Sequence, residues 1–286
     1  MKGAIVINGY LDGIKFREPA DMITAAGERH GIPIKTFLNS ELSAPIGDSD
    51  SLAKKLGDVD FIIFWDKDVK LAKNLEICGY PVINCSEAIR ICDDKALTHL
   101  TLAEYGIPSI KTIASPMTFG YPYQEWLDSV VDQIGFPMVV KDCFGSFGMQ
   151  VRMIHTMEEL REQAEGDVPK IFQEYIECDA KDIRIEVVGE KVVAAVLRIA
   201  ANGDFRSNAS IGGIMEKYEP TEEEAQLAID AAAAVQADFA GVDIINSPKG
   251  PVVCEVNSNA HLKNLYNATG VDTSDCIIEY IIELMQ

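Results

Sequence analysis

Between residues 3 and 84 the chain alternates short apolar runs with an amphipathic stretch: "GAIVIN", "PADMITAAGERHG", "PIKTFL", "DFIIFWD" and "YPVIN". Brief runs rich in Ile, Val and Phe read as buried strands, while "PADMITAAGERHG" spaces its apolar residues as a helix and closes at Gly31. Strands separated by helices are the pattern of parallel βαβ units, because parallel neighbours need a crossover between them. The first turn, Asn8-Gly9-Tyr10-Leu11-Asp12-Gly13, does not fit G-x-G-x-x-G. The expectation is therefore a Rossmann-like sheet without the dinucleotide fingerprint.

From Ser86 the pattern changes. "SEAIRICDDKALTHLTLAEYG" reads as one helix stopped by Gly106 and Pro108, and "PMVVKDCFGSFGMQVRMI" as two strands around a glycine loop. "KIFQEYI" reads as a further strand and "DIRIEVVGEKVVAAVLRIA" as a hairpin turning at Gly189-Glu190. A helix over residues 222–238 starts with Thr221 and Glu224 in capping-box spacing, and "TSDCIIEYIIELM" closes the chain as a helix. The class is α/β, turning to α+β in the C-terminal part. At 286 residues and 48% hydrophobic, the chain can build two domains.

Composition excludes several function classes. The net charge of −20 opposes nucleic acid or an anionic membrane as a partner, since both demand basic surface. No apolar run approaches the ~20 residues of a membrane span. The apolar run in "MKGAIVINGYLDGIKF" is too short for a signal-peptide core, so a cytoplasmic location is expected. Seven cysteines, scattered and without C-x-x-C spacing, read as reduced thiols. Four isolated histidines form no H-x-x-x-H pair, though His261 lies near the polar residues discussed next.

"GVDIINSPKGPVVCEVNSN" (241–259) is a hairpin pattern whose apolar runs are interrupted by Asp243, Glu255 and Asn257. Glu255 and Asn257 share one strand face. One register sets Asp243 opposite Glu255 on that face, and a slip of one residue moves Asp243 to the other. Two buried carboxylates require a cation between them, and a hard divalent ion such as Mg²⁺ suits oxygen ligands. An exposed edge hairpin with polar residues facing water accounts for the same pattern.

Two further features carry charge. In "VVKDCFGSFGMQV", Lys141 ends a strand before Gly145-Ser146-Phe147-Gly148, an arrangement that lets backbone N–H groups and a lysine meet an anion. It is not a P-loop, and a plain turn explains it equally. Arg184, Arg198 and Arg206 sit among apolar strand residues, with Lys95 on the upstream helix. They read as an anion pocket or as salt bridges to surplus carboxylates.

In order and wording, "DDKALTHLTLAEYGIP", "GFPMVVKDCFGSFGMQV", "QEYI", "DIRIEVVGEKVVAAVLR", "GDFRSN", "GVDI" and "EVNSN" resemble the ATP-grasp superfamily, specifically the RimK-type carboxylate–amine ligases. The resemblance runs from about Asn84 to the C-terminal residues. It implies a Rossmann-like pre-ATP-grasp domain over residues 1–88 and an ATP-grasp domain over 89–286. The latter would comprise a lid at about 109–176 and a metal-binding part at about 177–286.

It further implies that Lys95 and Lys141 contact ATP phosphates, that Gly145, Ser146 and Gly148 belong to a loop over them, and that Gln173, Glu174, Tyr175 and Ile176 form the adenine hinge. Asp182 would be a nucleotide-binding acid. Arg206, Ser207 and Asn208 would close over nucleotide and substrate, Arg198 and Arg206 acting in catalysis. Asp243, Glu255 and Asn257 would be the Mg²⁺ ligands, with Mn²⁺ as the alternative ion. The implied reaction joins an amino acid, L-glutamate first, to a carboxylate-ended small molecule, peptide or carrier protein through an acyl phosphate. The implied assembly is a homo-oligomer.

Two departures bear on the acceptor. Ile211 stands where the family places a basic residue, and "EVNSNAHLKN" with "TGVD" is closer to the amino-group-carrier ligases of lysine biosynthesis than to ligases that modify ribosomal protein. A non-catalytic ATP-binding regulator is the rival that Ile211 motivates; an oxidoreductase is disfavoured by the missing fingerprint.

Overall fold

The computed structural model describes residues 1–11, 13–117, 120, 123–145, 148–201 and 213–286. The first strand, β1 (Gly3–Ile7), is buried along its whole length and so requires cover on both faces. The next elements supply it: α1 (Ile14–Arg29), β2 (Ile34–Leu38), α2 (Ser49–Leu56), β3 (Phe61–Trp65), α3 (Val69–Ile77) and β4 (Val82–Ile83). The strands form one parallel sheet in the order β2-β1-β3-β4. Parity sorts the side chains. Ile5, Ile7, Phe61 and Ile63 pack towards α1, while Ala4, Val6, Ile62 and Phe64 pack on Leu52, Leu56 and Leu75 of α2 and α3. Helix α1 starts at Ile14 and runs through Pro19, where the sequence pattern had suggested its beginning. A proline near the N-terminal end forfeits one backbone bond, which packing against the sheet outweighs.

The single helix expected after Ser86 is two, α4 (Ser86–Asp93) and α5 (Lys95–Glu104). Asp94 stands between them with extended backbone, and its carboxylate accepts hydrogen bonds from the N–H groups of Ala96 and Leu97. An aspartate N-cap starts a new helix. Lys95 is thereby set at the first helical position of α5.

Two antiparallel sheets follow. The second sheet contains β5 (Thr112–Ala114), β6 (Met138–Asp142), β7 (Val151–Ile154) and β8 (Lys170–Glu174), in the order β5-β8-β6-β7. Met138, Val140 and Phe172 face Leu127 and Val130 of α6 (Gln124–Ile134) and Leu160 of α7 (Met157–Ala164). The third sheet, in the order β11-β10-β9-β12-β13, is built from β9 (Lys181–Val188), β10 (Lys191–Ile199), β11 (Ile214–Lys217), β12 (Phe239–Ser247) and β13 (Gly250–Asn257). One face, with Ile183, Ile185, Val242, Ile244 and Val253, packs on α8 (Glu222–Ala234). On the other face, Leu265 of α9 (Leu262–Thr269) covers Ala194 and Val196. The last helix, α10 (Thr273–Leu284), returns Ile277, Ile278 and Ile281 to the first sheet.

Two buried polar groups tie these layers together. Asn84, fully buried, donates to the carbonyls of Phe239 and Ser258 and accepts from the N–H groups of Asp238 and Phe239. It joins the edge of the first sheet to both the start of β12 and the segment after β13. His99 of α5 accepts a hydrogen bond from Gln173 Nε2 (2.8 Å), which also donates to Thr112 Oγ1. Burial, with Lys141 as a lesser cause, pushes His99 down to about 4, so the ring is neutral at pH 7.

Replacing Asn84 with Ala leaves several buried backbone groups unpaired and is expected to cost about 2–4 kcal/mol in urea unfolding. His99 supplies the acid-side counterpart. Its folded value lies below the ordinary 6.5, so its stabilisation is complete above pH 6.5 and is lost as pH falls through about 4. The wild type is expected to lose about 3 kcal/mol more than His99→Gln between pH 7.5 and 4. Equal losses in urea titrations at the two pH values would refute the assignment.

Candidate active site

The geometry of the site begins with a bulge. From the Ser247–Gly250 turn the ladder runs to Ile244 opposite Val253, and continued regularly it would set Asp243 against Cys254. Instead the register shifts by one residue, and Asp243 pairs with Glu255, Val242 with Val256, and Gly241 with Asn257. An extra residue on one strand re-aims everything beyond it. The favourable register expected from the sequence is thus present, but it is reached through a bulge at Cys254. On the far side Asp243 pairs with Arg184 of β9, and Asp182 of β9 pairs with Arg198 of β10.

One sheet face therefore carries a row of buried charge. Arg184 grips Asp243 with two bonds of 2.7 and 2.8 Å. Arg198 holds Asp182 through Nε (2.6 Å) and Nη2, and the same Nη2 reaches Asp243 Oδ2 at 2.8 Å. Burial alone would raise the Asp243 carboxyl; Arg184 and Arg198 more than offset this and hold it below the usual carboxylate range. Arg198 is only 3% exposed and bound to two carboxylates, so it is part of the floor as well as of the cleft wall.

Above this floor Lys95 Nζ lies 3.4 Å from Glu255 Oε1 and donates to the Gly145 carbonyl. Burial pushes Glu255 up, but Lys95, assisted by Lys141 and Arg184, brings it below its ordinary value. Lys141 projects from β6 and stands 3.6 Å from Cys254 Sγ. Across from it on β8, Gln173 faces the same way as Val139, while Phe172 turns into the core of the second sheet. The Gln173 carbonyl oxygen is buried and without a partner among the described residues. Glu174 accepts from the Lys111 N–H, and Tyr175 and Ile176 continue towards β9.

These groups share one cleft of about 680 Å³, the size of a nucleotide-class ligand site. Every described candidate from the sequence lines it: Lys95, Lys141, Gly145, Gly148, Gln173, Glu174, Tyr175, Ile176, Asp182, Arg198, Asp243, Glu255 and Asn257. Ser146, Arg206, Ser207, Asn208 and Ile211 lie outside the described residues. His261 lines the cleft too, and burial lowers its pKa.

The sequence reading missed Glu186 and assigned Arg184 no definite role. Both follow Asp182 at two-residue steps in "DIRIE", so strand alternation was the available signal. It also missed the wall contributed by the first sheet's loops. There Asp66 accepts from Asn8 and Asn39 side chains, and Trp65 and Lys67 line the same cleft.

The donor set Asp243, Glu255 and Asn257 fits a hard divalent cation. All three offer oxygen, and Asn257 directs its Nδ2 to the Gly241 carbonyl, which leaves its amide oxygen without a donor among the described residues. No group of three or more His, Cys, Asp or Glu side chains gathers as a metal site among the described residues.

Comparison with known proteins shows the family. Residues 92–281 match the RimK-like ATP-grasp domain. A "Probable alpha-L-glutamate ligase" from Picosynechococcus sp. is 37% identical over 218 residues, covering 74% of this chain and 70% of that protein. Human N-acetylaspartylglutamate synthase A is 33% identical over 228 residues, covering 77% of this chain but 57% of the human protein. Among solved structures, a RimK domain ATP-grasp protein from Sphaerobacter thermophilus superposes with a TM-score of 0.73 at 16% identity, covering 99% of this chain and 100% of that one. That last likeness is one of fold. The family model spans about two thirds of the chain, and the chain belongs to the RimK-like ATP-grasp family.

Proposed function

We propose that the protein forms an amide bond between an amino acid, L-glutamate first, and a carboxylate-ended acceptor, at the expense of ATP. The observation that carries this reading is the convergence of Lys95 and Lys141 on a face bearing Asp243, Glu255 and Asn257, within one cleft. Cations above and oxygen donors below are what a triphosphate with its divalent ion requires. Glutamate draws support from the relatives, two of which bear it in their names.

In this reading residues 1–88 form a pre-ATP-grasp domain, and 89–286 an ATP-grasp domain with a lid at 109–176 and a metal-binding part at 177–286. The adenine lies against Gln173–Ile176. The backbone of Tyr175 and Ile176, which line the cleft, offers the polar edge that a base needs. Lys95 and Lys141 hold the phosphates, the Gly145–Gly148 segment covers them, and Asp182 and the 206–208 segment complete the nucleotide site. Asp243, Glu255 and Asn257 would hold Mg²⁺, which would supply neutralisation of phosphate charge.

The acceptor's carboxylate oxygen attacks the γ-phosphorus, the bond to the β-phosphate oxygen breaks, and ADP leaves. The amine then attacks the acyl carbon; phosphate departs with the C–O electron pair and the nitrogen loses its proton. The protein's contribution is positioning and fixed charge. Lys95 moves between two partners, Glu255 and phosphate, so nucleotide binding is expected to loosen that ion pair. Arg184 and Arg198 hold Asp243 ionised throughout. No helix among the described residues is long and apolar enough to cross a membrane.

The test is Mg²⁺-dependent ADP release over a panel of amino acids with γ-glutamyl, small carboxylate and peptide acceptors, with mass spectrometry of the products. Release confined to particular pairs is expected, falling about 100-fold or more in Glu255→Ala. Failure of ATP to bind the wild type would overturn the reading.

A further inference from the structure

Most charges in the cleft floor have a partner, and two do not. Asp182 and Asp243 are held by Arg198 and Arg184, and Glu255 by Lys95. Among the described residues Lys141 makes no ion pair, and Glu186 makes neither an ion pair nor a hydrogen bond, although it is only 4% exposed and lines the cleft. The two stand apart. Lys141 approaches Cys254 on β13, whereas Glu186 lies on β9, two strands across the sheet. An unpaired cation awaiting phosphate is what the proposed reaction needs at Lys141. Burial pushes the Glu186 carboxyl up to about 7, so a ligand of opposite charge is what would hold it ionised.

The surroundings of Glu186 narrow that ligand. Its strand partners are Gly241 and Ala194, neither of which can bond to a carboxylate through a side chain. A Cβ at position 241 would lie 2.9 Å from Glu186 Oε1 and 3.0 Å from the Ala260 Cβ. Gly241 has no left-handed backbone that would demand glycine; it is the space that demands it. A single carboxylate whose strand partners are Gly241 and Ala194, with Arg184, Arg198 and Asp243 as its charged neighbours, can accept a monovalent ammonium, which needs few acceptors. It does not suit Mg²⁺, which requires near-octahedral oxygen coordination. Glu186 lies two residue pairs along the sheet from the Asp243–Glu255 pair, since its partner Gly241 pairs with Asn257. An amine held there is near the carboxylates that would organise the acyl phosphate.

We propose that Glu186 is the binding group for the ammonium of the incoming amino substrate, with Gly241, which lacks a Cβ, leaving room for the Glu186 carboxylate itself. The inference rests on the ligase reading and adds to it the residue that selects an amine over its deaminated analogue.

The experiment is calorimetric titration of L-glutamate, then of the other proteinogenic amino acids, and of glutarate as the amine-free control. Each is added to protein saturated with Mg²⁺ and AMP-PNP at pH 7.5. Wild type, Glu186→Gln and Gly241→Ala are compared, and AMP-PNP affinity is measured separately for each. Expected is a loss of tenfold or more in affinity for the amino acid that wild type binds best, in both variants, with AMP-PNP affinity within about twofold and no loss for glutarate in Glu186→Gln. Equal amino-acid affinity in wild type and Glu186→Gln overturns the proposal. So does weakened Mg²⁺ binding in Glu186→Gln with amino-acid binding intact, which would make Glu186 a metal ligand. So does a wild type that binds AMP-PNP but no amino acid in the panel. Failure of AMP-PNP to bind wild type falls instead on the ligase reading.

Discussion

The alternating row Arg184–Asp243–Arg198–Asp182 is the interaction on which the rest of the site depends. Removing four ionised groups from water costs several kcal/mol per ion. Here the cost is offset by bidentate guanidinium–carboxylate contacts within 2.8 Å. The pairs are cross-strand neighbours, so the row exists only when β9, β10 and β12 are in a single register. A slip of any of the three would bury an uncompensated charge. The network therefore selects the register as much as it stabilises it, and in doing so it fixes which side chains face the cleft.

Three structural layers meet over that row. The third sheet supplies the oxygen donors, the second sheet brings Lys141 and Gln173 from β6 and β8, and α5 brings Lys95 on its first turn. The first sheet closes the cleft with Trp65 at the end of β3 and with the loops that carry Asn8, Asp66 and Lys67. Buried polar ties hold the layers at their spacing: Asn84 couples the first sheet to the third, and His99 couples α5 to the second. Because His99 is neutral and accepts from Gln173, that joint adds no further charge beside Lys95 and Lys141.

Much of this was legible in the residues. The βαβ order, the hairpins at Gly189-Glu190 and at 247–250, the Thr221 capping box and the cleft-lining residues of the hinge and floor follow from alternation, glycine placement and motif order. Other features were not. The break at Asp94 was invisible because a helix-compatible run does not reveal that one aspartate will cap the following helix. The bulge at Cys254 was invisible because an apolar strand run looks the same with or without an extra residue. Glu186 was passed over because a strand carboxylate is usually solvated, and only packing reveals that this one is enclosed and unpaired.

By itself the sequence determined the class of fold, the strands and most helices, the identity of the charged groups and, through the family motifs, the kind of chemistry. Those are local properties, carried by side-chain type and spacing along the chain. Tertiary structure alone decided which charges neutralise one another and which are left for a ligand. Arg184 and Asp243 are 59 residues apart, and Lys141 and Cys254 are 113 apart. Electrostatic pairing depends on distance in space and on exclusion of water, and neither exists until the sheets have packed.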